Sequence, residues 1–219
     1  MEDFFNKSIN NSKCAVIVAH PDDETLWTGG TILMNPLNDW TIITICRKSD
    51  SDRSIKFSAA LKTLNANGEM GDLDDGPEQL PLDIPDVEET ILSLLKRTEF
   101  DLIMTHSTQG EYTRHRRHEE VAEAVIGLIE SKRLKTKRLW MFAYTDNNGT
   151  HLPKAIMHMD KVIHLPSGIW KKKYEVITET YGFSRDSWEA RTTPRKEAFW
   201  TFNSVNGVKE WIKDRSMVK

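Results

Sequence analysis

Four short apolar runs punctuate the chain: Cys14-Ala15-Val16-Ile17-Val18-Ala19, Thr41-Ile42-Ile43-Thr44-Ile45-Cys46, Leu102-Ile103-Met104-Thr105 and Leu139-Trp140-Met141-Phe142-Ala143-Tyr144. Their length and the near absence of polar alternation predict strands buried on both faces. Between them apolar residues recur at helical spacing: Leu26, Ile32 and Leu33; Phe57, Ala60, Leu61 and Leu64; Val87, Ile91, Leu94 and Leu95; Val121, Val125, Leu128 and Ile129. Such spacing gives each segment one apolar stripe. Strand and helix therefore alternate, which predicts a Rossmann-like α/β fold of three layers, a mostly parallel sheet with helices on both faces.

The stretch from Glu69 to Pro85 carries Asp72, Asp74, Asp75, Gly76 and three prolines and reads as a long surface loop. Beyond Thr145 the pattern loosens into a helix with Trp170, Tyr174 and Ile177, then an aromatic-rich end with Trp188, Phe199, Trp200 and Trp211. Packing is the expected fate of these aromatics, with a sugar-stacking platform as the alternative.

A chain of 219 residues is enough for one domain with a sizeable core, and a single domain over residues 1–219 is expected. A formal net charge of −3 points to no polyanionic partner, so nucleic acid is not expected. Met1 to Lys13 is polar and no run reaches transmembrane length, which predicts a cytoplasmic protein without membrane insertion. Cys14 and Cys46 each sit in an apolar run and are expected as buried free thiols. A metal would then take nitrogen and oxygen ligands.

Chemistry concentrates after the first strand, in His20-Pro21-Asp22-Asp23-Glu24. In an open parallel sheet, ligands bind beyond the carboxyl ends of the strands. Pro21 disfavours the helical region for His20, which lets the imidazole project off the strand end. A catalytic metal commonly takes three ligands from His, Asp and Glu and leaves a position for water. His20 and one aspartate could supply two of them, and the neighbouring aspartate could accept a proton from the water. The plainer reading is that these acids cap the following helix.

A second cluster follows the third strand: His106, then Glu111-Tyr112-Thr113-Arg114-His115-Arg116-Arg117-His118. Three-residue spacing puts His115 and His118 on one face if the helix has begun. One could complete a site of two histidines and a carboxylate while the other reaches the substrate. The alternatives are a solvated basic helix start and an arginine patch for phosphate, the latter disfavoured because a helix N-terminus is a poor place for cations. Arg47 after the second strand and Tyr144 with Asp146 after the fourth fall at the same end of the sheet and are candidates for substrate binding.

Ala19 to Glu24, together with Gly110-Glu111-Tyr112 and the pair His115 and His118, resembles the two signatures of the PIG-L/LmbE-like N-acetylglucosaminyl deacetylases. That resemblance implies a Rossmann-like fold and zinc held by His20, Asp23 and His118. It also implies Asp22 as general base and His115, protonated, as the group that stabilises the oxyanion. The substrate implied is a small acylated amino sugar or conjugate. Relative to the family pattern, Thr113-Arg114 before His115 is a one-residue insertion, and the family's arginine after the second strand is matched in part by Arg53, a further substrate-binding candidate.

Two other classes fit the residues: a non-haem iron enzyme using the same two histidines and carboxylate, and a non-catalytic module binding sugars or nucleotides. The first leaves the tandem aspartate without a task. The second lacks a phosphate fingerprint, since Gly29 and Gly30 come too late after the strand. His151, His158 and His164 read as solvated loop histidines, and a homo-oligomer is left open.

Overall fold

The computed structural model describes residues 11–216 apart from 79 and 114. Most of the polar start discussed above, and Arg114 of the apparent insertion, lie outside the described residues. The order begins β1 (Lys13–Val18), α1 (Asp23–Met34), β2 (Asp39–Cys46), α2 (Ser51–Leu64), β3 (Asn67–Leu73) and α3 (Ile84–Leu94). It continues with β4 (Glu99–Phe100), β5 (Leu102–Thr105), α4 (Arg116–Glu130), β6 (Lys135–Thr136), β7 (Leu139–Phe142) and β8 (Tyr144–Thr145). Then follow β9 (Lys154–Ala155), β10 (Lys161–His164), α5 (Ser167–Glu175), a π-helical turn (Val176–Thr180), α6 (Trp188–Thr192), β11 (Lys196–Phe202) and α7 (Val205–Ser216).

The main sheet runs β10-β11-β7-β5-β1-β2-β3. From β7 to β3 the pairings are parallel, and β11 and β10 add to the other edge antiparallel. The Rossmann-like expectation holds. From β1 the chain builds outward through β2 and β3, then returns to lay β5 on the opposite side of β1. This reversal is a topological switch point, and the crevice it opens lies beyond the carboxyl ends of β1 and β5.

All four apolar runs form strands of this sheet. Cys14 to Val18 are fully buried, with Ala15 and Ile17 in the core against α3 and α4, and Cys14, Val16 and Val18 in the core against α1 and α2. Burial on both faces is why these strands show no alternation.

The reading of Glu69 to Pro85 as loop throughout is corrected at its start, where β3 extends to Leu73. Only Met70 and Gly71 of β3 are buried, so this edge strand gives no apolar signal. A Cβ on Gly68 would lie 2.3 Å from the Ile42 carbonyl oxygen, so the parallel neighbour admits only glycine there. β10 and β11 were likewise not foreseen. Within the aromatic end, Phe199 and Trp200 lie in β11, the first fully buried and the second nearly so, while Trp188 opens α6 and Trp211 lies in α7.

Helix α1 is buried on every side from Asp23 to Ile32, because the sheet lies on one side and α2, α5 and the π-helical turn lie against it elsewhere. Gly30 permits this, since a Cβ there would meet both Leu165 methyl carbons at 2.4 Å. The main-chain N–H groups of Gly30 and Thr31 and the Thr31 hydroxyl donate to the buried Glu197 carboxylate, at 2.8, 2.7 and 2.6 Å. Lys173 Nζ, also fully buried, donates to the same carboxylate at 2.6 Å. Burial depresses the Lys173 pKa, and Glu197 opposes that effect. The pair fastens the helix that carries the acidic motif to β11 and α5. Among the described residues no helix is long and apolar enough to cross a membrane.

Removing one partner of such a pair leaves a buried charge uncompensated, which typically costs ~3–5 kcal/mol. Glu197→Ala is expected to lower the unfolding free energy by about that amount in a urea titration, whereas a change below ~1 kcal/mol would show that the pair contributes little.

Candidate metal centre at the switch point

Two loops build the site, one after β1 and one after β5. Asp23 is the first residue of α1, and its carboxylate points back across the strand end. Asp23 Oδ2 accepts from the His20 main-chain N–H at 2.9 Å and lies 3.0 Å from His20 Nδ1, 3.3 Å from His118 Nε2 and 3.5 Å from His106 Nε2. Asp23 Oδ1 accepts from Trp27 Nε1 at 3.0 Å. Burial alone would raise the Asp23 pKa, yet His118 and His106 outweigh it and hold the carboxyl well below its usual range.

Two of the three histidines facing Asp23, His118 and His20, are backed by separate carboxylates. His118 Nδ1 donates to Glu111 Oε2 at 2.6 Å, and His20 Nε2 donates to Asp75 Oδ1 at 3.1 Å. A carboxylate behind an imidazole fixes its tautomer and aims the remaining nitrogen. His118 Nε2 is thereby turned inward, buried and without a hydrogen-bond partner. Burial raises both backing carboxyls, but the His20 and Arg47 contacts bring Asp75 to about 2 and the His106 and His118 contacts bring Glu111 to about 2. Both stay ionised at neutral pH.

His106 plays a different part. The Ala19 N–H donates to its Nε2 at 3.0 Å, while its Nδ1 donates to Glu111 Oε2 at 2.9 Å. Burial disfavours the charged ring, and Glu111 and Asp23 outweigh that effect to draw the pKa up to about 9. With the Ala19 N–H against Nε2 and Glu111 against Nδ1, neither ring nitrogen of His106 is left open to a cation. His106 thus ties the end of β1 to Glu111, with its ring stacked 3.8 Å from that of His118.

The residues that could hold a cation fall into overlapping groups, among them His20 with His115 and His118, and Asp23 with His106 and His118. With His106 set aside, Asp23 Oδ2 lies between His20 Nδ1 and His118 Nε2, and His115 groups with the same two histidines. The Cys46 thiol lies near His20 and Asp75, but burial pushes its pKa far up, so it remains a neutral thiol. Cys14 is also a buried free thiol, pushed up to about 12 by burial.

Asp22 does not cap α1 with its side chain. Its carboxylate instead accepts from Arg53 Nη1 at 3.2 Å. Asp22 has φ 125°, a backbone state unfavourable to any side chain and held only by its surroundings. Glu24 supplies that hold: its Oε2 accepts the Asp22 N–H at 3.0 Å, and its Oε1 accepts from the Thr25 and Tyr181 hydroxyls at 2.5 and 2.8 Å. Burial and the adjacent Asp23 charge raise the Asp22 pKa well above its usual range, against the pull of Arg53. Two neighbouring carboxyls are therefore driven apart in basicity.

Residues 15–129 match the family model of PIG-L, GlcNAc-PI de-N-acetylase. The chain belongs to the PIG-L family. Uncharacterized protein L374 of Acanthamoeba polyphaga mimivirus is 23% identical over 178 residues, covering 74% of this chain and 75% of its own length. A solved structure, GalB, the 4-carboxy-2-hydroxymuconate hydratase from Pseudomonas putida KT2440, matches with a TM-score of 0.59 at 16% identity, over 86% of this chain and 95% of that one. At that identity the likeness is one of fold.

Around this PIG-L centre lies a pocket of about 250 Å³ that includes His20, Asp22, Asp23, His115, Arg47 and Arg53. His118 stands behind His115, their rings stacked at 4.4 Å. Tyr144 and Asp146 line an adjoining groove instead. Tyr144 is buried and donates its hydroxyl to the Trp27 carbonyl at 2.9 Å, and Asp146 accepts from the Thr113 N–H and hydroxyl, both at 2.7 Å. Their observed contacts hold α1 and the His115 loop in place.

Burial, with the neighbouring His118 and His20, lowers the His115 pKa to about 3. The expectation of a protonated His115 is corrected accordingly: the ring is neutral at pH 7. His151 is partly buried with Nδ1 on the Leu152 carbonyl at 2.7 Å, His158 and His164 are exposed, and none of the three lines the pocket.

The basic run also changes meaning. Arg117 is fully buried, donating to the Asp74 carbonyl at 2.6 Å, the Leu80 carbonyl at 2.8 Å and Glu120 Oε2 at 2.5 Å. It holds the 74–82 loop, and with it Asp75, against α4; it is not an anion patch. The sequence pattern assigned no role to Glu111, His106, Asp75 or Tyr181, and Glu24 read only as a helix cap within the acidic motif. Glu111 and His106 stood beside the recognised histidines, where a backing carboxylate could have been sought. Asp75 and Tyr181 meet the site only through the fold.

Outer carboxylates of this kind typically carry ~10–100-fold of metal affinity. Asp75→Asn and Glu111→Gln are each expected to weaken binding of a divalent ion by that factor in competition with a chromophoric chelator, and unchanged affinity would show that the imidazoles are oriented without them.

Proposed function

We propose that the protein is a zinc-dependent N-deacetylase that removes an acetyl or similar acyl group from an amino sugar or amino-sugar conjugate. The observation that carries this reading is the different setting of two adjacent carboxyls. Asp23 Oδ2 lies 3.0 Å from His20 Nδ1 and 3.3 Å from His118 Nε2, whereas Asp22 lines the same pocket on Arg53 Nη1. The imidazoles lower the Asp23 pKa while burial raises that of Asp22. Opposed shifts in neighbouring acids mark distinct acid–base tasks.

His20, Asp23 and His118 are the residues that would hold the ion. The inward, unpartnered His118 Nε2 and its spacing of 3.3 Å from Asp23 Oδ2 fit a small cation with mixed nitrogen and oxygen ligands. When bound, zinc lowers the pKa of a coordinated water to ~7 and polarises a carbonyl.

Asp22 accepts the proton released as water attacks the acyl carbon, which its raised basicity favours. Arg53 and the backbone held by Glu24 keep that carboxylate facing the pocket. The same proton can pass to the leaving amine, so the amide is cleaved without net change at Asp22. Neutral His115 contributes an N–H donor to the oxygen on which charge develops. Such a donor is typically worth ~10²–10³ in turnover. An oxygenase reading would leave Asp22 and its supports without a task.

Asp22→Asn is expected to keep its metal and lose at least about a hundredfold in acetate release from N-acetylglucosamine or a conjugate of it; full turnover would remove Asp22 from the role. His115→Ala should lower kcat by roughly a hundredfold with KM little changed, and a pure KM effect would make His115 a binding residue instead.

A further inference from the structure

Trp188 was expected in the core. It instead keeps 36% of its surface exposed and lines the catalytic pocket with Glu189. Indoles are ordinarily buried for their large apolar area, so one left open beside a polar site is available to a ligand. Edge contacts hold it: its ring lies 4.8 Å from that of Tyr112 and 6.4 Å from that of Trp27. Tyr112 in turn meets the rings of His115 and His118 at 5.8 and 5.5 Å. The aromatic wall thus runs continuously to the site of chemistry.

The same pocket is also lined by the charged side chains of Arg47, Arg53 and Asp75. A pocket that offers an exposed indole together with charged donors and acceptors suits a ligand with one apolar face and a hydroxylated rim. A pyranose has that shape, whereas an acyclic acetamide offers no rigid face. The volume limits its size. Pockets for drug-sized ligands run to roughly 300–1,000 Å³, so about 250 Å³ takes one sugar ring with its acetamide and leaves the rest of a conjugate outside.

We infer that Trp188 is a specificity-determining binding residue, against which the apolar face of a single N-acetylated sugar ring packs while any further part of the substrate projects from the pocket. Trp188 and Glu189 lie beyond the 15–129 segment matched to the family, so this face is supplied by the chain's own later segment. The inference rests on the deacetylase reading for the identity of the ring, and its test separates the two.

Binding of N-acetylglucosamine and of N-acetylethanolamine to Asp22→Asn protein is measured by calorimetry and saturation-transfer NMR, alone and combined with Trp188→Ala or Trp188→Phe, with folding checked by near-UV circular dichroism. The sugar is expected to bind better than the acyclic acetamide, to weaken by about tenfold with Trp188→Ala and to stay within about threefold with Trp188→Phe. Equal binding with Trp188→Ala, no preference for the ring, or no sugar binding at millimolar concentration would overturn the inference. Acetate release by the wild type is followed in parallel. Release without dependence of binding on Trp188 overturns the stacking face and leaves the deacetylase reading intact. Sugar binding that depends on Trp188, without release, supports the face and sinks the deacetylase.

Discussion

Asp23 Oδ2 receives the His20 main-chain N–H and is approached by nitrogens of His20, His118 and His106, all within 3.5 Å. A carboxylate so buried would ordinarily be driven to its neutral form. It stays charged because the imidazoles surround it, and they in turn keep their places because Glu111 and Asp75 stand behind them. The alternation of anion, imidazole and anion makes the centre possible within an apolar fold, and removing any member exposes the others to the full desolvation penalty.

The sheet provides the convergence. Chain reversal between β1 and β5 places two loops beside each other at one crevice, so residues 20–24 meet residues 106–118 although they are far apart in sequence. Local strain is concentrated there, in the positive φ of Asp22, and is sustained by Glu24 and by Tyr181 from the far end of the chain. The Glu197–Lys173 pair anchors the same helix farther along. Much of the later segment, outside the family match, thus serves to hold α1 and to shape the pocket above it.

How much of this was legible depends on where each residue finds its partners. β1, β2, β5 and β7 are buried on both faces and read directly as apolar runs, and the motif at 20–24 announced itself by its chemistry. β3 did not, because an edge strand with glycines at its closest approaches has no apolar period to show. β11 was hidden among aromatics that suggested packing without specifying a strand. Asp75 was visible only as one acid in a loop, since its meeting with His20 spans 55 residues and depends on the buried Arg117 that fastens that loop. Arg117 itself read as one of a basic run, and only the fold reveals it as a buried donor to main-chain carbonyls.

Whether His20, Asp23 and His118 form one metal site is decided by metal stoichiometry from mass spectrometry on the wild type beside His20→Ala and His118→Ala, with folding checked by circular dichroism. About one divalent ion per wild-type chain is expected, and its loss from both folded variants. Wild-type stoichiometry retained in either variant would contradict that site.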